Sequence, residues 1–120
     1  PISAGENLHT IYDFQHMLQA NGVSFIEPDV SNCGGITVWM KVAKLAEAKN
    51  LPVTSHGVHD IHVHLLGAVP NASYLEVHGF GLERFILEPL VVKDGFALAG
   101  EAPGHGIDFN WDGLCAHTSE

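Results

Sequence analysis

The amino-acid sequence predicts an α/β fold built on a parallel β-sheet. Short apolar runs suited to strands recur along the chain, and stretches with the apolar spacing of helices separate them. Strands and helices that alternate in this way form right-handed βαβ units, so we expect the element order βαβαβαβ. A titratable side chain also stands at or near the end of each predicted strand. This third observation indicates a functional site at one edge of the sheet.

The strands are predicted from four short apolar segments, which are residues 2–4, 23–26, 51–54 and 72–77. Beyond them the pattern changes. Residues 87–99 indicate a hairpin that turns at residues 93–95, because an Asp-Gly pair is typical of tight turns. Residues 102–109 are rich in Pro and Gly and predict an irregular closing segment.

Three helices are predicted between the strands, over residues 10–20, 36–49 and 61–69. In the first helix, Ile11, Phe14 and Leu18 fall on one face. The apolar face of the second is predicted to contain Ile36, Met40, Ala43 and Ala46. These faces are expected to pack on the sheet and to form the core.

The composition of the 120 residues limits the classes of function. With 46% hydrophobic residues the chain has enough apolar content for a core. A formal charge of −9 with only five Lys and Arg argues against a nucleic-acid partner, since little would neutralise phosphates. We find no membrane span or signal peptide and expect a cytoplasmic protein. Cys33 and Cys115 lie far apart without CxxC spacing, so both are predicted to be thiols.

The side chains at the strand ends are the candidate site. Glu6, Asp29, His56 and Glu76 follow or close the four predicted strands at intervals of 20 to 27 residues, about one βα unit. A TIM barrel assembles its active site from strand ends on one face, and an open doubly wound sheet also uses them. No strand end carries a glycine-rich phosphate-binding motif, which argues against the nucleotide-binding version.

Each of these residues also has a structural interpretation. Glu6 could be a solvated loop residue or a helix cap, Asp29 a turn-forming residue, and His56 a histidine that bonds a backbone carbonyl. Glu76 lies within an apolar strand, where a buried carboxylate is costly unless it is paired or protonated. Its position therefore supports a site.

The histidine-rich stretch His56-Gly-Val-His59-Asp-Ile-His62-Val-His64 raises the question of a zinc site. Residues on a helix are about 100° apart, which puts His62 and His64 roughly 200° from each other. They cannot share one site, so zinc is not favoured and both are predicted to pack within the fold. His59, at the start of the helix, and His78, two residues after Glu76, are expected to approach the pocket.

Five segments resemble the enolase superfamily, in its mandelate racemase subgroup. They are PISAGEN (1–7), PDVSNCGGIT (28–37), SHGVHDIHVHLLGAVPN (55–71), LEVHGFGLERFILEPL (75–90) and APGHGIDFN (102–110). The resemblance implies that residues 1–120 are the C-terminal portion, strands five to eight, of a modified TIM (β/α)7β barrel, with a tail from about residue 87. It places the N-terminal capping domain and the first half of the barrel outside this chain.

The resemblance also implies roles for the strand-end residues. Glu6 matches the third of three carboxylates that hold Mg²⁺, and Asp29 and His56 match an Asp-His dyad in which His56 is the general base or acid. Glu76 matches a protonated carboxyl that hydrogen-bonds the substrate carboxylate. We further predict that His59 and His78 contact the substrate. A second-strand lysine base, found in many relatives, would lie outside the chain.

The function implied is a magnesium-dependent acid-sugar dehydratase. Such an enzyme removes the proton alpha to a carboxylate, forms an enediolate and expels the adjacent hydroxyl, which gives a 2-keto-3-deoxy sugar acid. Two alternatives are a racemase or epimerase of a 2-hydroxy acid and a noncatalytic half-barrel module for binding or assembly. The expected partner is a small-molecule carboxylate, and we expect a homo-oligomer of the complete enzyme.

Overall fold

Four chain segments run parallel in a computed structural model that describes residues 1–79 and 81–117. Strand β1 (Ser3–Ala4) pairs with β2 (Phe25–Ile26), with Ser3 opposite Phe25 and Ala4 opposite Ile26. Single parallel bridges then join Ile26 to Val53 and Val53 to Ala72. The spatial order of the segments therefore follows the chain, and all of them point the same way. This arrangement confirms the predicted α/β fold.

Helices connect the parallel segments. They are α1 (Ile11–Ala20), α2 (Ile36–Ala48) and α3 (His59–Gly67). The first two agree with prediction to within a residue at each end, whereas α3 begins two residues earlier and ends two residues earlier than predicted. Thr10 caps α1 in a reciprocal arrangement, since its hydroxyl accepts the Asp13 N–H and the Asp13 carboxylate accepts the Thr10 N–H.

The third and fourth segments pair over a shorter length than predicted. Around Val53 the backbone pairs normally, as the Val53 N–H donates to Asn71 O and the Ser73 N–H donates to Val53 O, each at 2.9 Å. Further along, side chains bridge the segments. The Thr54 hydroxyl donates to Tyr74 O at 2.6 Å, and Ser55 Oγ accepts the Glu76 N–H at 3.1 Å. A strand over 72–77 was therefore wrong in extent, because hydroxyl groups take the place of backbone partners there.

The segment after Ile86 forms a separate small unit of structure. A short 3-10 helix (Leu82–Phe85) precedes it, and β3 (Val91–Lys93) and β4 (Phe96–Leu98) form the predicted hairpin. Its turn contains Asp94 and Gly95 with φ of 53° and 83°, the left-handed conformation that tight hairpin turns require.

The end of the described chain folds back on the residues before the hairpin. Ile86 bridges Phe109 antiparallel, and helix α4 (Trp111–Cys115) follows. Sequence analysis did not predict α4, which is only five residues long and is capped by the Asn110 side chain. Residues 118–120 of the predicted tail lie outside the described residues.

The core lies between the parallel segments and helices α1, α2 and α3. Its largest fully buried side chains include Phe14, Ile26 and Trp39, and the Trp39 indole N–H donates to Pro28 O at 3.1 Å. The buried face of α2 consists of Trp39, Val42, Ala43 and Ala46. Ile36, predicted to join this face, is 54% exposed. The buried face of the helix is centred on Trp39, Val42, Ala43 and Ala46, and Ile36 lies at its margin in the first turn.

Several properties of the surface are relevant to assembly. Large apolar side chains are exposed on the outer parallel segments and on the hairpin, among them Ile2, Tyr74 and Phe96 at 60%, 71% and 73%. Within residues 1–79 and 81–117, β1 pairs only with β2, and Ala72 only with Val53, so both outer segments of the parallel set have an unpaired side. In the same part of the chain, none of the helices has the length and apolar character needed to cross a membrane. Cys33 is buried, Cys115 is exposed, and no disulfide joins them.

We predict that residues 1–120, expressed alone, will self-associate. Unpaired edges of parallel segments and exposed apolar side chains are satisfied by other chains when nothing else covers them. Sedimentation or light scattering over a range of concentrations should detect oligomers or aggregates. A monomer at low concentration with a sharp cooperative melt would contradict this expectation.

A second prediction concerns the buried indole of Trp39. In Trp39→Phe the aromatic volume is largely kept, but Pro28 O loses its partner, which should lower the free energy of unfolding by about 1–3 kcal/mol. Urea denaturation of the protein that contains this chain measures the change. Trp111→Phe is the matched control, since Trp111 is 65% exposed and its replacement should alter stability little. Equal effects of the two changes would argue against the Trp39 bond.

Candidate active site

Asp29 and His56 meet at the ends of neighbouring parallel segments. Asp29 follows β2, His56 follows Val53, and Asp29 Oδ2 lies 3.2 Å from His56 Nδ1. Asp29 is buried, and its other oxygen accepts two hydrogen bonds from Ser31, from N–H at 2.7 Å and from Oγ at 2.6 Å. Because an ionised Asp29 can only accept, Nδ1 of His56 is the donor, and Nε2 remains for other partners.

The two groups shift each other's proton affinity. Burial alone would raise the pKa of Asp29, but the hydrogen bonds from Ser31 and His56 outweigh it, so this pKa lies below its usual value. Burial alone would lower the pKa of His56, and the hydrogen bond to Asp29 opposes this effect. The charges of Glu76 and Glu6 act in the same direction as Asp29, so the pKa of His56 lies above its usual 6.5. The histidine is thus prepared to take a proton.

Gly57 lets the chain pass close to this pair. Its φ is +64°, and a Cβ on it would lie 2.8 Å from Asp29 Oδ2. Any side chain at this position would therefore push the Asp29 carboxylate out of place. The Gly57 N–H faces the fourth segment.

The Gly57 N–H points at Glu76 and His78. It lies 3.2 Å from Glu76 Oε2 and 2.9 Å from His78 Nε2, and these two acceptor atoms are 2.8 Å apart. A contact this short between them requires a proton. The Glu76 side chain is 38% exposed, so the expectation that it is buried in a strand was wrong. By Glu76 the backbone of the fourth segment no longer pairs with the third segment, and the side chain is more accessible to solvent.

His59 and His78 both lie beside the dyad. The His78 N–H is 3.3 Å from His59 Nδ1, and the His56 and His78 rings meet edge to face at 5.0 Å between centroids. A cavity of about 250 Å³ opens here. Asp29, His56, His59 and His78 are among its lining residues, so the structure brings both predicted substrate-contacting histidines to the same opening as the dyad.

Glu6 follows β1 and is half-buried. Its carboxylate accepts from the Gly5 N–H at 3.1 Å and from Asn7 Nδ2 at 3.3 Å. Asn32, in the loop after Asp29, donates to the Glu6 carbonyl at 3.1 Å and links the two strand ends. The carboxylate oxygens of Glu6 are of the ligand type that Mg²⁺ prefers in proteins.

A second group of potential ligands has a different character. Atoms of His56, Glu76 and His78 lie within 4.8 Å of one another. Their mixture of nitrogen and oxygen is unlike a Mg²⁺ site. The Gly57 N–H also points at two of these atoms, and a backbone donor there favours an anion or a shared proton over a cation.

His62 and His64 are separated as predicted. His62 is fully buried in α3 and hydrogen-bonded on both ring nitrogens, whereas His64 is half-buried and lines a different cavity. Sequence reasoning treated His62 only as a packing residue and did not identify Ser31, Ser55 or Gly57. The Asp-x-Ser spacing of Asp29 and Ser31 is typical of a local turn and could have pointed to Ser31. No pattern marks Ser55 or His62.

Chemically, the arrangement combines a histidine of raised proton affinity, a buried carboxylate hydrogen-bonded to it, and the Gly57 N–H with Glu76 and His78 beside this pair. Such a set suits proton removal next to a carboxylate.

Comparison of sequences identifies the family of this chain. The model of the enolase C-terminal domain-like family matches residues 1–113. A 3,6-anhydro-alpha-L-galactonate cycloisomerase from Streptomyces coelicolor is 51% identical over 113 residues, which are 94% of this chain and 31% of that protein. The chain therefore spans about a third of the length of the curated relatives that it matches.

Solved structures of related enzymes superpose closely on this chain. A racemase from Streptomyces coelicolor A3(2) with bound magnesium superposes with a TM-score of 0.90 at 48% identity, over 96% of this chain and 31% of that one. The L-talarate dehydratase from Polaromonas sp. JS666, complexed with Mg and L-glucarate, gives 0.89 at 32% identity over 100% of this chain and 33% of that one. Because the family model matches residues 1–113 of the 120 in this chain, the chain belongs to the enolase superfamily, in the enolase C-terminal domain-like family.

Proposed function

We propose that this chain forms strands five to eight of the barrel in an enzyme that eliminates an oxygen substituent from a sugar acid. The Asp29–His56 pair carries the proposal, because it joins a histidine of raised pKa to a buried carboxylate at the mouth of a cavity. The sugar-acid dehydratases among the relatives support this choice of substrate class.

His56 is the general base in this proposal. Its Nδ1–H donates to Asp29, so Nε2 can remove the proton on the carbon alpha to the substrate carboxylate. Asp29 fixes the orientation of the ring and stabilises the imidazolium that forms. Ser31 in turn fixes the Asp29 carboxylate with two short hydrogen bonds.

Glu76 and His78 receive the substrate carboxylate as it gains charge. In this proposal Glu76 and His78 share one proton across their 2.8 Å contact, so the pair carries no net negative charge when the substrate carboxylate approaches. The Gly57 N–H adds a backbone donor at the same point. His59 holds the His78 backbone and keeps these donors in place.

Glu6 would hold Mg²⁺ together with carboxylates from outside this chain. When bound, the ion supplies positive charge that stabilises the negative charge developed on the substrate carboxylate. Magnesium in the related structures supports this role.

The leaving group decides which overall reaction results. In an ordinary sugar acid, loss of the proton at C2 expels hydroxide from C3, and tautomerisation of the enol gives a 2-keto-3-deoxy acid. In a 3,6-anhydro sugar acid the oxygen on C3 belongs to a ring, so the same electron movement opens the ring and loses no water. Dehydration was the function predicted from sequence, and the 51% identical cycloisomerase favours ring opening as a second candidate. Assaying the protein on both substrate types separates the two.

Racemisation uses the same proton removal but returns the proton from the opposite face. It requires a second acid beyond the residues of this chain, and product analysis separates it from elimination. A noncatalytic binding or assembly module is distinguished from both by the absence of metal binding. Homo-oligomeric assembly and a cytoplasmic location stay predictions for the complete protein.

His56→Asn tests the base directly. Asparagine is polar and of similar size but cannot take a proton near neutral pH, so kcat should fall by roughly a hundredfold to ten-thousandfold. Sugar-acid binding should persist, because Glu6 is unchanged. Steady-state kinetics and calorimetric binding in the complete protein measure both effects.

His64→Asn is the matched control, as His64 lies on α3 and lines a different cavity. Exchange of the alpha proton with deuterated water should also cease in His56→Asn. If exchange persists while elimination stops, His56 is the acid that protonates the leaving group. Unchanged turnover would contradict any role of His56 in proton transfer.

Asp29→Asn tests the cause of the raised His56 pKa. Loss of the carboxylate removes the hydrogen bond and charge that raise this pKa, so the pKa of His56 should fall. Because the base acts when deprotonated, the rising limb of kcat/KM should move to lower pH, with a lower plateau from a misoriented ring. Asp94→Asn, in the exposed hairpin turn, should leave the profile unchanged. A limb at the same pH in Asp29→Asn would contradict the assignment.

A further inference from the structure

The His62 imidazole connects the two strand ends that carry the dyad. It is fully buried, and its Nε2 accepts the Val30 N–H at 3.1 Å, directly after Asp29. Its Nδ1 lies 3.0 Å from Gly57 O and 3.1 Å from Val58 O, directly after His56. These contacts fix one neutral tautomer, with the proton on Nδ1, since a backbone N–H needs an acceptor and carbonyls need a donor.

The backbone that His62 holds is strained. Val58 has φ of 21° and ψ of 55°, a conformation that is unfavourable for a β-branched residue, and Gly57 before it has φ of 64°. Strain of this kind costs on the order of 1–3 kcal/mol and persists only where surrounding contacts enforce it. The donor on Nδ1 is such a contact, because it binds the carbonyl of the strained Val58 and that of Gly57 before it.

Relaxation of this turn would directly affect the dyad. Gly57 passes so close to Asp29 that a Cβ would be 2.8 Å from Oδ2, and His56 is bonded to this same oxygen at 3.2 Å. A movement of Gly57 therefore displaces the His56 ring, the Asp29 carboxylate, or both. On the other side, the Val30 N–H ties the backbone after Asp29 to the same imidazole.

We propose that His62 is a positioning residue that fixes the distance and angle between Asp29 and His56 by holding Val30 on one side and the Gly57–Val58 turn on the other. It does not contact the substrate and does not exchange protons. Burial lowers the pKa of its imidazole, which keeps the ring neutral and its donor and acceptor unchanged across the working pH range. For catalysis, this role rests on the proposed function.

The test compares His62→Met with His62→Gln in the complete protein. Methionine keeps much of the volume but offers no hydrogen bond, whereas glutamine keeps one donor and one acceptor. In His62→Met we expect kcat to fall by about a hundredfold, the effect of a small misplacement of a catalytic group, with KM little changed. His62→Gln should retain most of the activity. His64→Met, on the same helix, is the matched control and should behave like the unsubstituted protein.

Nuclear magnetic resonance with ¹⁵N-labelled histidine gives a readout independent of turnover. The unsubstituted protein should show His62 as the Nδ1–H tautomer without titration. In His62→Met the His56 pKa should fall toward 6.5 and the Val30 amide should exchange faster. A folded His62→Met with unchanged kcat and unchanged His56 titration would overturn the proposal. The same holds if the only effect of this substitution is a lower free energy of unfolding.

If His62→Met does not fold, His62→Gln decides the question. A protected Val30 amide together with an unchanged His56 titration supports positioning by hydrogen bonds, whereas a fast-exchanging Val30 with unchanged titration and kcat overturns it. Absence of turnover on every sugar acid, with His56 titration still dependent on His62, would reject the proposed function and leave the positioning role supported.

Discussion

The parallel alignment of four short segments is the constraint on which the rest of this structure depends. Because β1, β2, Val53 and Ala72 point the same way in chain order, the residues that follow them emerge at one edge. There a carboxylate and an imidazole from segments distant in sequence come within hydrogen-bond distance. Their mutual shift of proton affinity follows from that contact. The chemistry at this edge is thus a consequence of strand direction.

The sequence was sufficient to predict features that follow a repeating pattern along the chain. Helices α1 and α2 were located to within a residue, because apolar spacing over ten or more residues is hard to produce otherwise. The strand-end residues were identified because they recur at one βα unit. Features that depend on a single contact were not predictable. The exposure of Glu76, the bonds of Ser31 and Ser55, and helix α4 each depend on a partner that no periodicity indicates.

The histidine-rich stretch illustrates how surroundings decide the role of a side chain. His56 and His62 are six residues apart, yet the pKa of one is raised by a neighbouring carboxylate and that of the other is lowered by burial. His59 serves as a backbone acceptor. A count of histidines raises the question of a metal site, whereas the fold gives these three side chains different hydrogen-bond partners. The position of a histidine relative to a strand end therefore indicated its role better than its residue type did.

The hydroxyl bridges of Thr54 and Ser55 have a consequence for how such a site can vary. Beyond Val53 the gap between the third and fourth segments is spanned by side chains rather than by paired backbones. Its width is therefore set by the length of a replaceable group, while the ladder nearer the core remains intact. Substitutions at these two positions would change the spacing of the two segments, and with it the position of Glu76 and His78, while the ladder nearer the core is kept, which gives evolution a local means to adjust the site.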